Sequence, residues 1–155
     1  MLKTFLDRLS VSLQQQVIIV NIYVLMYDLV PMDEELYRQN ILELYRHPRN
    51  KSEMVDADLI GKGINASCGD RIVFYIKLDG DKISDASFIG DGCAISMASA
   101  SMLTDKIKGL ATNELRSIAP GDIYNMLGVK INPWRTNCAL LGYEAMNKAV
   151  KANAK

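Results

Sequence analysis

The chain has 155 residues, 49% of them hydrophobic, and its 18 Lys and Arg residues balance its 18 Asp and Glu residues. This length and apolar fraction suffice for one globular domain with a buried core and a short appendage. Because the formal net charge is zero and no segment collects a basic block, the composition argues against binding to nucleic acid or to anionic membranes. We expect proteins or small ions as partners.

Residues 1–31 carry apolar side chains at three- and four-residue steps, which predicts an amphipathic helix. Polar residues interrupt the segment too often for a membrane span, and no small-residue cleavage site follows its basic residues. We interpret it as an N-terminal extension that packs on the domain or on a second subunit. The alternative is that translation starts at Met32. Pro31 marks the boundary in either case, and residues 32–155 are predicted to form the domain.

A second helix is predicted from Asp33 to Arg46, because acidic residues stand at its start and His47-Pro48 ends it. His47, the sole histidine, is interpreted as a capping or surface residue, and Arg49 to Lys62 as a connecting loop. The predicted apolar stripe of this helix comprises Leu36, Tyr37, Ile41, Leu44 and Tyr45.

Beyond Arg71 the apolar residues alternate with a period of two, which predicts a half-buried strand. The turn signal from Asp79 to Lys82 and the returning segment Ile83 to Ile89 predict an antiparallel hairpin. Ile64 to Ser67 is predicted to be a third, short strand at the edge of the sheet.

Helices dominate the remainder of the chain. Small and apolar residues from Ala94 to Lys108, closed by Gly109, predict a helix that approaches the sheet closely. Short helical segments are predicted near Thr112 and from Pro120 to Leu127, and the last helix from Asn137 to Lys151.

The three cysteines are odd in number and widely spaced, unlike the dense, even pattern of a secreted disulfide scaffold, and we expect a cytoplasmic protein. Each cysteine falls at a boundary between predicted elements. Cys68 precedes the first long strand, Cys93 precedes a helix whose dipole favours a thiolate, and Cys138 lies in the first turn of the last helix. The alternative is that all three are buried thiols that serve as small hydrophobic residues.

Asp70 adds a carboxylate two residues after Cys68. In a compact domain these four residues can meet at one end of the sheet, and three thiolates with one carboxylate complete a tetrahedral zinc shell. The same soft ligands suit iron–sulfur clusters. A carboxylate is harder and more easily displaced than a thiolate, so we hypothesise that Asp70 lets the bound cargo leave.

Five motifs of the sequence, three of which include a cysteine, carry further information. They are Leu36-Tyr37-Arg38, His47-Pro48-Arg49-Asn50, Cys68-Gly69-Asp70-Arg71, Arg135-Thr136-Asn137-Cys138 and the run from Gly90 to Ser101. Together they resemble the U-type iron–sulfur cluster assembly scaffolds, the NifU amino-terminal domain family. The resemblance covers residues 33–151, and the run around Cys93 is its most specific part.

The resemblance implies an α+β fold, with a small three-stranded antiparallel sheet and helices packed on it, to which residues 1–31 add an N-terminal amphipathic helix. It implies that Cys68, Asp70, Cys93 and Cys138 hold either Zn²⁺ or a transient [2Fe-2S] cluster. It also implies a scaffold rather than an enzyme, with a cysteine desulfurase as sulfur donor and iron–sulfur acceptor or carrier proteins as recipients. Cys68 and Cys138 are the candidates for receiving sulfur, and homo-oligomerisation stays open.

Two branches of this family differ near Cys138. The ISC branch has a histidine at the position of Asn137 and a Leu-Pro-Pro-Val-Lys motif upstream, and this chain has neither. The SUF branch has an arginine that Arg135 matches, but also an insertion between the second and third cysteines for which this chain lacks room. We interpret the chain as SUF-like and free of that insertion. Arg135 either offsets the negative charge of the site or is a solvent-facing loop residue.

Three functions compete at this point. The first is a scaffold that accepts sulfur and holds a nascent cluster, and the second is a zinc-dependent sulfur acceptor that serves a desulfurase. The third is a structural zinc domain that only binds proteins. A thiol enzyme ranks below these, because no histidine is placed by the sequence to act as its base.

Overall fold

The structure is a computed structural model that describes residues 34–152, so the helix predicted over residues 1–31 lies outside the described part. It shows a three-stranded antiparallel sheet of order β1-β2-β3 with four α-helices, which confirms the α+β prediction. The elements are α1 (Glu34–Arg46), β1 (Leu59–Asn65), β2 (Asp70–Asp79), β3 (Lys82–Asp91), α2 (Ala94–Ile107), a 3-10 turn (Glu114–Ser117), α3 (Pro120–Leu127), a 3-10 turn (Pro133–Arg135) and α4 (Thr136–Ala152). Within residues 34–152, no helix has both the length and the apolar character to cross a bilayer.

The predicted hairpin is present as β2 and β3. Asp79 pairs with Lys82, which leaves a two-residue turn at Gly80 and Asp81, and Gly80 has the positive φ of 58° that glycine tolerates best. The hairpin is longer than predicted at its far end, where Asp91 pairs with Arg71. This register brings the chain just after β3 beside the start of β2.

The edge strand β1 differs from the prediction. It spans Leu59–Asn65 rather than Ile64 to Ser67, so the preceding loop ends at Asp58. Its buried positions alternate strictly, but two of them are Gly61 and Gly63. A Cβ at Gly61 would collide with the carbonyl oxygen of Ala145 in α4. Because contact with α4 requires glycine at inward positions, the hydrophobic alternation that identifies a strand is missing from this segment.

The core lies between the inward face of the sheet and helices α2 and α4. Ile72, Phe74 and Ile76 of β2 are fully buried. The helices approach each other closely, since a Cβ on Gly142 of α4 would lie 3.2 Å from the Cα of Ala100 in α2. Small residues therefore let α4 lie on both β1 and α2, which fixes the start of α4 at the end of the sheet.

Helix α1 contributes less to the core than its sequence predicts. Only Ile41 and Leu44 of the predicted stripe are buried, whereas Leu36 and Tyr45 are about half exposed. His47 is exposed, which agrees with its interpretation as a surface residue.

The segment after α1 is fastened to α2 by Asn50. Its side-chain amide donates to Thr104 Oγ1 at 3.0 Å and to Asp105 Oδ1 at 2.7 Å, and its Oδ1 accepts from Lys108 Nζ at 2.8 Å. Lys108 also pairs with Asp85 of β3 at 2.8 Å. Asn50 of the His47-to-Asn50 motif therefore links the segment after α1 to α2 and Lys108, and none of these three hydrogen bonds involves a cysteine.

Candidate metal centre

Asp70 is the first residue of β2 and faces the core with Ile72 and Phe74. Only 3% of its surface is exposed, and its Oδ2 atom has no hydrogen-bond partner among residues 34–152. A buried carboxylate oxygen without a partner is costly unless a cation or a donor binds it. The carboxylate is therefore in the state expected of a metal ligand.

Cys93 is the N-cap residue of α2, as predicted. The Ser96 hydroxyl donates to the Cys93 carbonyl oxygen at 2.9 Å and lies 3.7 Å from Cys93 Sγ. Gly92 leaves room for this arrangement, because a Cβ there would lie 2.9 Å from Asp70 Cγ and closer still to Ser96 Oγ. The glycine before Cys93 thus lets the carboxylate and the thiol approach.

Cys138 lies in the first turn of α4 and is fully buried. Its sulfur lies 3.3 Å from Cys68 Sγ and accepts a hydrogen bond from Asn65 Nδ2, also at 3.3 Å. Cys68 itself is exposed in the turn between β1 and β2. This turn is closed by the Gly69 amide, which donates to the Asn65 carbonyl oxygen at 2.9 Å.

The fold brings three of the four predicted ligands together and places the fourth, Cys68, in contact with one of them. Asp70, Cys93 and Cys138 each offer a ligand atom, and these atoms lie within 4.8 Å of one another. Cys68 joins the group through its contact with Cys138. Three sulfurs and an unpartnered carboxylate oxygen suit a borderline-soft cation such as zinc, so the residues present fit the predicted ion.

Burial raises the pKa of the Cys138 thiol well above its ordinary value, and the nearby Cys68, Cys93 and Asp70 raise it further. A bound cation reverses this effect, since metal ligands bind as thiolates and their protons are released. The cluster is therefore electrostatically unfavourable as four anions alone and favourable around a cation.

An open cleft of about 600 Å³ lies over the cluster. Arg135 and Trp134 line it together with Cys68, Asp70 and Cys93, and 89% of the Trp134 surface is exposed. Arg135 forms no ion pair with any residue between 34 and 152. The structure thus places Arg135 beside the site, whereas its role stays a prediction.

Three residues of the site were not predicted from the sequence. Asn65 contacts a cysteine sulfur, Ser96 contacts the residue that caps α2, and Trp134 lines the cleft. A signal for Asn65 exists in retrospect: it continues the inward positions of Gly61 and Gly63, so a polar side chain there must find a buried partner.

Comparison with known proteins identifies a family domain that includes the candidate metal centre. A family model described as the NifU-like N-terminal domain matches residues 36–155. The chain is 42% identical over 134 residues to the zinc-dependent sulfurtransferase SufU of Bacillus subtilis, and this alignment covers 76% of this chain and 90% of that protein. The alignment spans 134 positions, but 76% of the 155 residues of this chain is fewer than 134. SufU therefore has residues within the aligned region that have no counterpart in this chain.

Similarity extends to scaffold proteins and to a solved structure. The iron–sulfur cluster assembly scaffold protein IscU of Aquifex aeolicus is 33% identical over 117 residues, which covers 74% of each chain. A crystal structure described as a putative SUF-system scaffold from Fervidobacterium islandicum superposes with a TM-score of 0.65 at 28% identity, covering 76% of this chain and 98% of that one.

Proposed function

Because this chain belongs to the family of NifU-like N-terminal domains, we propose that it accepts sulfur from a cysteine desulfurase and transiently holds a nascent [2Fe-2S] cluster for acceptor proteins. The observation that carries the proposal is the convergence of Cys68, Cys93 and Cys138 with the unpartnered carboxylate of Asp70 beneath an open cleft. A sulfur-handling site needs thiols, a cation-binding shell and access for a partner protein, and this end of the sheet combines them.

Cys68, Asp70, Cys93 and Cys138 are the proposed ligands, both of zinc and of the cluster that is the cargo. A zinc ion bound there would keep the thiols deprotonated at neutral pH. Asp70 is the one oxygen ligand of the set, and we propose that it is displaced when the cargo leaves. Arg135 is proposed to offset the net negative charge of the thiolates.

Cys68 is the proposed entry point for sulfur, because it is the exposed thiol and Cys138 is fully buried. The Cys68 thiolate attacks the terminal sulfur of the donor's persulfide, and a sulfur–sulfur bond forms at Cys68 Sγ. The bond between that terminal sulfur and the donor cysteine breaks, and the donor cysteine departs as a thiolate. Cys138, 3.3 Å away, is the second candidate.

A second function, zinc-dependent sulfur acceptance without cluster assembly, is favoured by the 42% identity to SufU. In either case we propose an acceptor or scaffold role rather than turnover of a small substrate. Three free cysteines function only while reduced, and for this reason we propose the cytoplasm as the compartment.

Desulfurase treatment followed by mass spectrometry tests the proposal. The zinc-loaded wild-type protein is expected to gain sulfur and Cys68→Ser to gain essentially none. Cys138→Ser also loses a proposed zinc ligand, so it is expected to gain sulfur at Cys68 in a lower yield than wild type but clearly more than Cys68→Ser. Zinc content and circular dichroism are measured for each variant, so that a loss of fold is separated from a loss of the accepting thiol.

Anaerobic reconstitution with ferrous iron, the desulfurase, cysteine and dithiothreitol, which reduces the persulfide sulfur to sulfide, separates the two functions. The visible absorption of a [2Fe-2S] chromophore supports the scaffold, and sulfur acceptance without that chromophore supports the zinc-dependent acceptor. A protein that holds zinc but takes neither sulfur nor cluster is a structural zinc domain and contradicts both. In the mass-spectrometry experiment, loss of sulfur gain in Cys138→Ser but not in Cys68→Ser would show that Cys68 is not the entry point for sulfur.

A further inference from the structure

We infer that Asn65 is a positioning residue that holds the Cys138 sulfur against the turn bearing Cys68, an inference that rests on the proposed metal centre. Asn65 ends β1 at an inward position, opposite Asp70 in the strand register, and only 6% of its surface is exposed. A carboxamide at such a position has to satisfy both its donor and its acceptor from within the protein.

Both ends of the Asn65 side chain are used at the site. Nδ2 donates to Cys138 Sγ at 3.3 Å, and Oδ1 accepts from the Ser67 amide at 3.2 Å. The backbone carbonyl oxygen of Asn65 also accepts from the Gly69 amide. One residue therefore joins a sulfur on α4 to the two amides that flank Cys68 in the turn.

This bond makes the three sulfurs unequal. Cys138 Sγ receives an N–H, and Cys93 Sγ lies 3.7 Å from the Ser96 hydroxyl. Within residues 34–152, Cys68 Sγ accepts a hydrogen bond only from the Cys138 thiol, at 3.3 Å, and that proton is lost when Cys138 binds a cation as a thiolate. A hydrogen bond to a thiolate stabilises its charge and reduces its electron donation, so Asn65 restrains Cys138 and leaves Cys68 the more nucleophilic sulfur.

The test measures metal binding by the full chain rather than sulfur transfer. Asn65→Ala is expected to weaken zinc binding by about 10- to 100-fold in a chelator competition, as is typical when a partner of a metal ligand is removed. In the cobalt-loaded protein, the sulfur-to-cobalt charge-transfer band is expected to move to longer wavelength, because a thiolate that has lost its hydrogen bond is easier to oxidise.

Two variants serve as comparisons. Asn137→Ala removes the same side chain from the exposed position next to Cys138, and it is expected to leave both zinc affinity and the cobalt spectrum unchanged. Asn65→Gln retains an amide donor and is expected to recover part of both. The unfolding midpoint of each metal-free variant is recorded alongside.

A structural role alone would lower the midpoint of metal-free Asn65→Ala while its zinc affinity and cobalt band stayed at wild-type values, and that result would overturn the inference. Equal effects of Asn65→Ala and Asn137→Ala would also overturn it. Failure of the wild-type protein to bind zinc or cobalt contradicts the proposed metal centre instead, so the two failures are distinguishable.

Discussion

Replacing Asp70 with alanine is expected to stabilise the metal-free protein and to remove much of its stabilisation by zinc. The buried Oδ2 atom of Asp70 has no hydrogen-bond partner within residues 34–152, and such a group typically costs about 1 to 3 kcal/mol. Its removal is expected to raise the free energy of unfolding of the metal-free protein by up to that amount. Urea denaturation followed by circular dichroism measures it.

The additional stability that zinc binding gives the protein is expected to fall in Asp70→Ala. Asp70→Ala removes a proposed ligand, and each tenfold loss of affinity lowers the stabilisation by saturating zinc by about 1.4 kcal/mol. Cargo that relies on Asp70 for release is expected to leave the variant at an altered rate, which transfer of a reconstituted cluster to an apo-ferredoxin measures.

Ser87→Ala is the matched control, because Ser87 Oγ is the other buried side-chain atom without a partner in the described chain. Ser87 pairs with Tyr75 and lies in β3, four positions before Asp91 and six before Cys93. Its replacement is expected to leave zinc affinity unchanged while the metal-free protein becomes slightly more stable. If Asp70→Ala lowers the stability of the metal-free protein and binds zinc as tightly as wild type, Asp70 is not a ligand.

Gly61→Ala is expected to destabilise the protein by about 3 kcal/mol or more. Its Cβ would collide with the carbonyl oxygen of Ala145 and lie 2.6 Å from the amide nitrogen of Ala149, and these backbone atoms cannot rotate away. Relief requires α4 to move off β1, and overpacking of this kind costs about 1 to 3 kcal/mol even where side chains can adjust. Zinc affinity is expected to fall as well, because α4 carries Cys138.

Gly63→Ala and Gly121→Ala serve as comparison variants for Gly61→Ala. A Cβ at Gly63 would lie 2.9 Å from the Leu141 carbonyl oxygen, so Gly63→Ala is expected to be milder and to remain folded if Gly61→Ala does not. Gly121 lies in α3, where an added Cβ would meet no atom within 4 Å, and Gly121→Ala is expected to be neutral or to stabilise by up to about 1 kcal/mol. Urea midpoints of Gly61→Ala equal to those of Gly121→Ala would contradict the proposed packing role.

Local patterns account for the elements that the sequence predicts well. The hairpin has a two-residue turn with glycine between alternating strands, and α2 ends at a glycine stop, so neighbouring residues specify both. The predicted position of strand β1 is wrong because Gly61 and Gly63 face α4, a helix about eighty residues further along the chain. The predicted burial of Leu36 on α1 is also wrong, because periodicity identifies the apolar face of a helix but does not show which element covers it.

The sequence by itself determined the set of donors: three thiols and one carboxylate, placed at the start of a strand and at the starts of two helices. Only the tertiary structure decided that Asp70 Oδ2 is buried without a partner among residues 34–152, that Cys68 is exposed while Cys138 is buried, and that Asn65 contacts Cys138. These properties depend on strand register and on the packing of α4 against β1. Both arise from contacts between residues far apart in the chain, which local sequence patterns do not encode.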